Sequence, residues 1–230
     1  MISLSSSSIG LGDTLLLNAV ARYLDSPTVF LPRKSKRFEI LFDKIAKVEI
    51  VDDDKFEGYK YTPDFGTGLY ARQKLRGFFG NEAEFMDVRP VVLHSNPSGE
   101  YWAGEYLKDK PNPVIVCWQV ATEWQHVRGW SEDLTKNVIQ SLKDNNKTPI
   151  VIQSGAKNKW AADTVCDLEL DKLICLMRQV GEVVTAHTGL FHLAVGVGAK
   201  IDCIQPPDSE LFNSSEWNYS HPTIDYHTWN

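Results

Sequence analysis

Residues 183–198 constrain this chain more than any other stretch. They read Val-Val-Thr-Ala-His-Thr-Gly-Leu-Phe-His-Leu-Ala-Val-Gly-Val-Gly: a short apolar run, a turn at Thr188-Gly189, then Leu190, Leu193, Ala194 and Val197 at helical spacing. Another apolar run, residues 201–204, follows directly. A strand that turns straight into a helix presents unpaired N–H groups and the positive end of the helix dipole at the strand's C-terminal edge. Anionic groups bind at such an edge, and ligands of open α/β sheets collect there. The plain alternative is an ordinary strand-turn-helix whose glycine only permits close packing.

The same arrangement opens the chain. Residues 1–4 read as a strand, 5–12 as a loop of small residues, and 13–24 as a helix with Leu16, Leu17, Val20 and Leu24 on one face. With the loop Gly10-Leu11-Gly12-Asp13, the later Thr188-Gly189-Leu190-Phe191-His192-Leu193-Ala194 and the intervening Arg128-Gly129-Trp130, the chain resembles the heptosyltransferase family of bacterial glycosyltransferases. That family carries a G-x-G-D loop, a Lys or Arg two residues before a Trp that opens a helix, and a T-G-x-x-H-L-A element, in this order. The resemblance implies a GT-B-like α/β fold, with two Rossmann-like domains facing a cleft. Since the family is typically about a third longer, it also implies a reduced N-terminal domain.

Composition narrows the class. The 230 residues suffice for one large domain or two small ones. A net charge of −6 without a long basic run argues against a broad nucleic-acid footprint. Cys117, Cys166, Cys175 and Cys203 form no C-x-x-C pair, and are expected to be reduced core residues of a cytoplasmic protein. The apolar start lacks a charged leader and is broken by Gly10, Gly12 and Asp13, so no signal peptide is expected. No run approaches membrane-spanning length.

In chain order, residues 28–31, 47–51 and 91–93 read as strands. Arg33, Lys34, Lys36 and Arg37 open a helix expected to reach Ile45. Cations at a helix start oppose its dipole, so they form either a solvated face or a contact for an anionic acceptor. Asp52-Asp53-Asp54 reads as a solvated turn, not a metal site. Residues 55–87 interleave aromatic rings with glycines and suggest loops and a short helix at 69–75, the rings serving either the core or a sugar-lined cleft. A turn is expected at 96–99 and a helix at 100–107. Residues 108–113, with Pro111 and Pro113, form the best linker.

Beyond it, strands at 114–118, 149–152, 183–186 and 201–204 alternate with helices at 131–142, 160–167, 170–180 and from Gly189, the pattern of a parallel sheet. The tail from Pro206 is too rich in large rings for a disordered end and is expected to pack back on the body. The chain is thus read as an acceptor-side domain, 1–110, a nucleotide-sugar domain, 111–205, and a packed tail, 206–230.

The resemblance assigns Asp13 as the catalytic carboxylate behind the Gly10 and Gly12 loop. An Asp there is equally a favoured helix N-cap. For the donor it implies Arg128, Trp130, His187, Thr188, Gly189, Leu190 and His192. The diphosphate would meet the backbone N–H groups of residues 188–190, the Thr188 hydroxyl and the two-pronged Arg128 guanidinium. Trp130 reads equally as a core ring, and His192 as a satisfied core histidine. His187 departs from the Asp or Asn usual before Thr-Gly in the family. No cofactor and no metal are expected, because a helix terminus and an Arg supply the positive potential.

The leading expectation is an inverting, metal-independent glycosyltransferase. It would move a sugar from a nucleotide-sugar donor to a hydroxyl acceptor, either a bacterial surface saccharide or a hydroxylated base in phage-type DNA. The alternatives are a non-catalytic nucleotide-sugar-binding module and an unrelated Rossmann-like enzyme. Leu15, where a third glycine of G-x-G-x-x-G would fall, weighs against the last.

Overall fold

The computed structural model describes residues 3–4, 10–53, 55, 71–119, 129–155, 160, 162–205, 219 and 221–228. The aromatic stretch up to Tyr70 and Arg128 lie outside them. The chain separates into two compact units, Met1–His94 and Ser95–Asn230.

In the first unit, strands β1 (Ser3–Leu4), β2 (Thr28–Pro32) and β3 (Lys47–Val51) form a parallel sheet in the order β1-β2-β3. Helix α1 (Leu11–Ala21) crosses between β1 and β2. Its run of Leu, Ala and Val gives it both helix propensity and an apolar surface, and every residue from Thr14 to Ala21 is buried. It packs on a 3-10 helix (Arg33–Phe42) and on α2 (Ala71–Phe79), which continues into a second 3-10 turn (Gly80–Phe85). The segment expected as an α-helix from Arg33 is therefore a 3-10 helix. Ser35, Phe38, Leu41 and Phe42 are buried along it.

No strand forms at 91–93. The buried Asn18 side chain satisfies Val91 instead, with Oδ1 accepting from its N–H at 2.8 Å and Nδ2 donating to its carbonyl at 2.9 Å. Nδ2 also donates to the Leu41 carbonyl at 2.5 Å.

The second unit begins with α3 (Pro97–Leu107), so the division falls before this helix and not at residues 108–113. The expected turn at 96–99 is its start: Asn96 is the N-cap, accepting from the N–H groups of Ser98 and Gly99, and Pro97 fits the first helical position. α3 packs on α5 (Leu170–Val180). Asn96 Nδ2 donates to Asp171 at 2.5 Å and Gln179 Nε2 to the Glu100 carbonyl at 2.8 Å. Gly99 allows the approach, since a Cβ there would stand 3.0 Å from Cys175 Sγ.

Six parallel strands make the second sheet: β4 (Pro113–Cys117), β5 (Thr148–Gln153), β6 (Asp163–Cys166), β7 (Glu182–Thr185), β8 (Lys200–Gln205) and β9 (Ile224–Thr228), in the order β6-β5-β4-β7-β8-β9. β4 and β5 are linked through α4 (Glu132–Asp144), and β7 and β8 through α6 (Gly189–Val197). Numbered within the unit, this is the 3-2-1-4-5-6 order of a doubly wound nucleotide-binding sheet.

Two sequence expectations are corrected here. Residues 163–166 are a strand and not a helix, because Thr164 and Val165 are β-branched and pair with β5. The chain's last strand is β9, not the 201–204 run, since the tail returns to pair along β8 from Ile201↔Ile224 to Gln205↔Thr228. That pairing and the burial of Tyr219 are how the described part of the tail packs back. All four cysteines are free thiols, and Cys117, Cys175 and Cys203 are buried. Burial pushes the Cys203 thiol up to about 12, with the neighbouring Gln205 amide opposing it. Among the described residues, no helix is long and apolar enough to cross a membrane.

Candidate active site

A doubly wound sheet opens a crevice where its strand order reverses, at the C-terminal ends of the two strands that lead in opposite directions. Here those strands are β4 and β7, in register at Cys117↔Thr185, with the Ala186 N–H donating to the Cys117 carbonyl at 3.0 Å. After β7, Ala186 and His187 lead to Thr188, the N-cap of α6. The strand-turn-helix signal of residues 183–198 therefore lies at the switch point. Its backbone geometry follows from composition: Thr188 is extended at φ −136°, and its hydroxyl oxygen accepts from the Leu190 N–H at 3.0 Å. That bond commits the Leu190 N–H to the cap. Among the described residues, the Gly189 N–H and the Thr188 hydroxyl proton are left as donors at the positive end of the helix.

Behind this turn lies a cluster of rings. The His187 side chain is buried, with its ring 4.6 Å from Phe191 and 5.3 Å from His192. His192 is also buried, and its Nδ1 sits 2.7 Å from the hydroxyl of Tyr219. Burial, reinforced by His187, holds the His192 imidazole well below its usual range, so it is neutral. Phe191 stacks on Tyr219 at 5.7 Å.

On the other side of the switch point, Trp118 follows β4 and packs edge-on against Trp160 at 5.2 Å. Its buried indole N–H has no partner among the described residues. Trp130 is a core ring, 2% exposed, packed among Val116, Trp118, Ile139 and Val184. Its N–H donates to the Ile204 carbonyl at 3.2 Å and its backbone N–H to the Trp118 carbonyl at 3.4 Å. Trp130 thereby ties the segment that precedes α4 to Trp118 and to β8. Its side chain is occupied by packing.

Asp13 belongs to the first unit, in the opening turn of α1. Gly10, not Asp13, is the N-cap. Gly10 also makes room for the carboxylate through its lack of a side chain, since a Cβ there would lie 3.1 Å from Asp13 Oδ2. Gly12 falls inside the helix.

The four cations of the 3-10 helix are all exposed. Arg33 pairs with Asp52 at 2.5 Å, the Lys34 N–H donates to Asp53 at 3.3 Å, and the Arg37 guanidinium lies 4.9 Å over the Phe38 ring. Asp52 and Asp53 thus compensate the start of that helix and are more than a solvated turn. Lys36 and Arg37 are left facing outward. Among the described residues, no three His, Cys, Asp or Glu side chains gather into a metal-holding group.

Sequence reasoning named the β7–α6 residues but missed Asn18 and Tyr219 as organising side chains. An Asn inside an apolar helical run is the kind of signal that would have marked the first.

No protein-family model matches the chain, and no curated protein matches its sequence. Solved structures do match. The E. coli ADP-heptose LPS heptosyltransferase II superposes with a TM-score of 0.68 at 12% identity, covering 99% of this chain and 93% of that one. The family 9 glycosyl transferase of Veillonella parvula gives 0.67 at 10% identity, covering 99% and 86%. E. coli heptosyltransferase WaaC, solved with ADP, gives 0.60 at 10% identity, covering 100% and 94%. At such identities the likeness is one of fold: this chain has the α/β fold of heptosyltransferases and family 9 glycosyltransferases, the group its three motifs resemble.

Proposed function

We propose that the protein is a nucleotide-sugar-dependent glycosyltransferase acting with inversion and without a metal. The observation that carries this reading is the strand order β6-β5-β4-β7-β8-β9 with a Thr-capped helix N-terminus, Thr188-Gly189, at its switch point, in a fold shared with heptosyltransferases. In this reading the donor diphosphate takes hydrogen bonds from the Gly189 N–H, the Thr188 hydroxyl and Arg128. Donor and acceptor would occupy the second and first units respectively, as in a GT-B enzyme.

The reaction needs two things of the protein. The acceptor hydroxyl must lose its proton as its oxygen attacks the anomeric carbon, and the diphosphate must leave with the electron pair of the broken C–O bond. Asp13 receives the proton. The α6 N-terminus and Arg128 stabilise the negative charge that develops on the diphosphate. His187 stands where a fixed anion would be expected, so the sugar or ribose contact at that position is made by a different group. The acceptor is a hydroxyl of a bacterial surface saccharide or of a modified base in DNA, with Lys36 and Arg37 as its outward cations.

A thermal-shift screen of nucleoside diphosphates and nucleotide sugars tests the donor site, because a ligand bound only to the native state raises its melting temperature. A shift by one nucleoside diphosphate and its sugar is expected. No shift by any member, at concentrations up to millimolar, would contradict the reading. The non-catalytic module remains the second reading, favoured only by His187, and it predicts binding without any turnover.

A further inference from the structure

We propose that Tyr219, in the C-terminal segment, is a positioning residue of the donor site: its hydroxyl holds His192 in the tautomer that carries its proton on Nε2, ready to donate to an oxygen of the bound diphosphate. The inference rests on the reading of the α6 N-terminus as the diphosphate site.

The geometry begins with the 2.7 Å contact between the Tyr219 hydroxyl and His192 Nδ1, made between two side chains that are 5% and 6% exposed. Tyr219 is itself held in place. Its backbone N–H donates to the Tyr226 hydroxyl at 2.9 Å, and that hydroxyl donates to the Tyr219 carbonyl at 3.3 Å. Tyr226 in turn sits on β9, in register with Cys203 of β8. The Tyr219 ring stacks on Phe191 at an interplanar angle of 23°. Sheet pairing, a two-bond clamp and a ring stack thus converge to aim one hydroxyl at one imidazole nitrogen.

The chemistry follows from the inventory of donors. A neutral imidazole has one N–H and one bare nitrogen, and the hydrogen bond at one nitrogen decides which is which. Burial beside His187 keeps His192 neutral. A phenol O–H donates to a bare Nδ1, which leaves the proton on Nε2. Among the described residues, nothing hydrogen-bonds to Nε2 of His192. His192 lies in the first turn of α6, where the helix dipole attracts an anion. A neutral N–H adds a donor there without the cost of burying a second charge. The tail is on this view part of the donor site, acting through one histidine.

Two readouts test it. Nitrogen-15 NMR of the ligand-free wild-type protein reads the tautomer directly, and the Nε2–H form of His192 is expected. This measurement needs no variant to fold. Calorimetry with inorganic pyrophosphate then compares wild type with Tyr219→Phe, which keeps the stacked ring and removes only the hydroxyl. Affinity should fall about tenfold, the scale of one hydrogen bond. The same change made in His192→Gln, whose amide offers an N–H but no tautomer, should alter affinity by less than about twofold. A tyrosine with a merely structural role would weaken both backgrounds equally. An Nδ1–H tautomer in the wild type, or equal affinity in wild type and Tyr219→Phe, overturns the inference alone. Failure of the wild type to bind pyrophosphate or any nucleoside diphosphate overturns the donor site itself, and the inference with it.

Discussion

Asn18 holds both polar groups of the Val91 backbone, accepting from its N–H at 2.8 Å and donating to its carbonyl at 2.9 Å, although the two residues lie 73 positions apart. With its further bond to the Leu41 carbonyl, this one amide ties α1 to the 3-10 helix and to the segment that closes the first unit. Asn18→Ala would leave three backbone groups without their partner. Each unsatisfied buried group costs about 1–3 kcal/mol, and partial relaxation should bring the total to about 2–4 kcal/mol. Urea unfolding measures this, and a loss under about 0.5 kcal/mol would show that the bonds contribute little.

His192 makes stability depend on pH in a definite direction. Its folded-state pKa is lowered from 6.5, first by burial and then by His187, so the unfolded chain binds the proton more readily. The stability conferred by neutral His192 is complete above pH 6.5 and is lost as pH falls from there toward the folded value. His192→Gln should therefore have a flatter melting temperature between about pH 8 and pH 5 than wild type. Parallel curves would show that His192 is not buried as described.

Asp87 acts in a separate window. Burial raises its pKa, but hydrogen bonds from Arg89 at 2.7 and 2.9 Å, with Arg22 beside it, win and hold the carboxyl well below its ordinary 3.8. Its contribution is present above about pH 3.8 and is lost as pH falls through the lowered value. The side chain is 40% exposed, so solvent screening keeps the effect small. Acid titration of Asp87→Asn should show a shallower loss of stability below about pH 4 than wild type. An unchanged acid limb would mean that this network does not form in solution.

Arg128 should be felt in binding more than in stability. If it grips the donor diphosphate, Arg128→Ala should weaken nucleoside diphosphate binding by about 1.5–3 kcal/mol, the scale of a charge-assisted hydrogen bond. Calorimetry of a folded Arg128→Ala protein with unchanged affinity would remove it from the site.

What could be read from the sequence divides along physical lines. The β7–α6 element was legible because its apolar strand, Thr-Gly turn and helical spacing are local signals, and Thr188 does cap the helix. The parallel sheet of the second unit was legible from alternation alone. Long-range pairings were not. β9 has few apolar residues, so only its partner β8 reveals it as a strand. Residues 91–93 look like a strand, but the backbone of Val91 is satisfied by the side chain of Asn18. Helix α3 belongs with the second unit through its fit to α5 at Gly99, a closeness that two prolines in the following segment obscured. In the candidate site, Trp130 was legible as either a ligand contact or a core ring, and burial shows it in the core.

The most direct measurement of the proposed mechanism is sugar transfer by Asp13→Asn, with the donor found by thermal shift and a matching acceptor. Gly10 is the N-cap of α1, so Asp13→Asn removes a first-turn charge and leaves the N-cap residue in place. The cost in stability should be about 0.3–1 kcal/mol, the worth of an acid at a helix start. Donor affinity should hardly change, because the proposed donor groups all lie in the second unit. Transfer should fall by about 10²–10⁴-fold, the usual contribution of a general base. Transfer by folded Asp13→Asn at a near wild-type rate would contradict the assignment of Asp13 as the base.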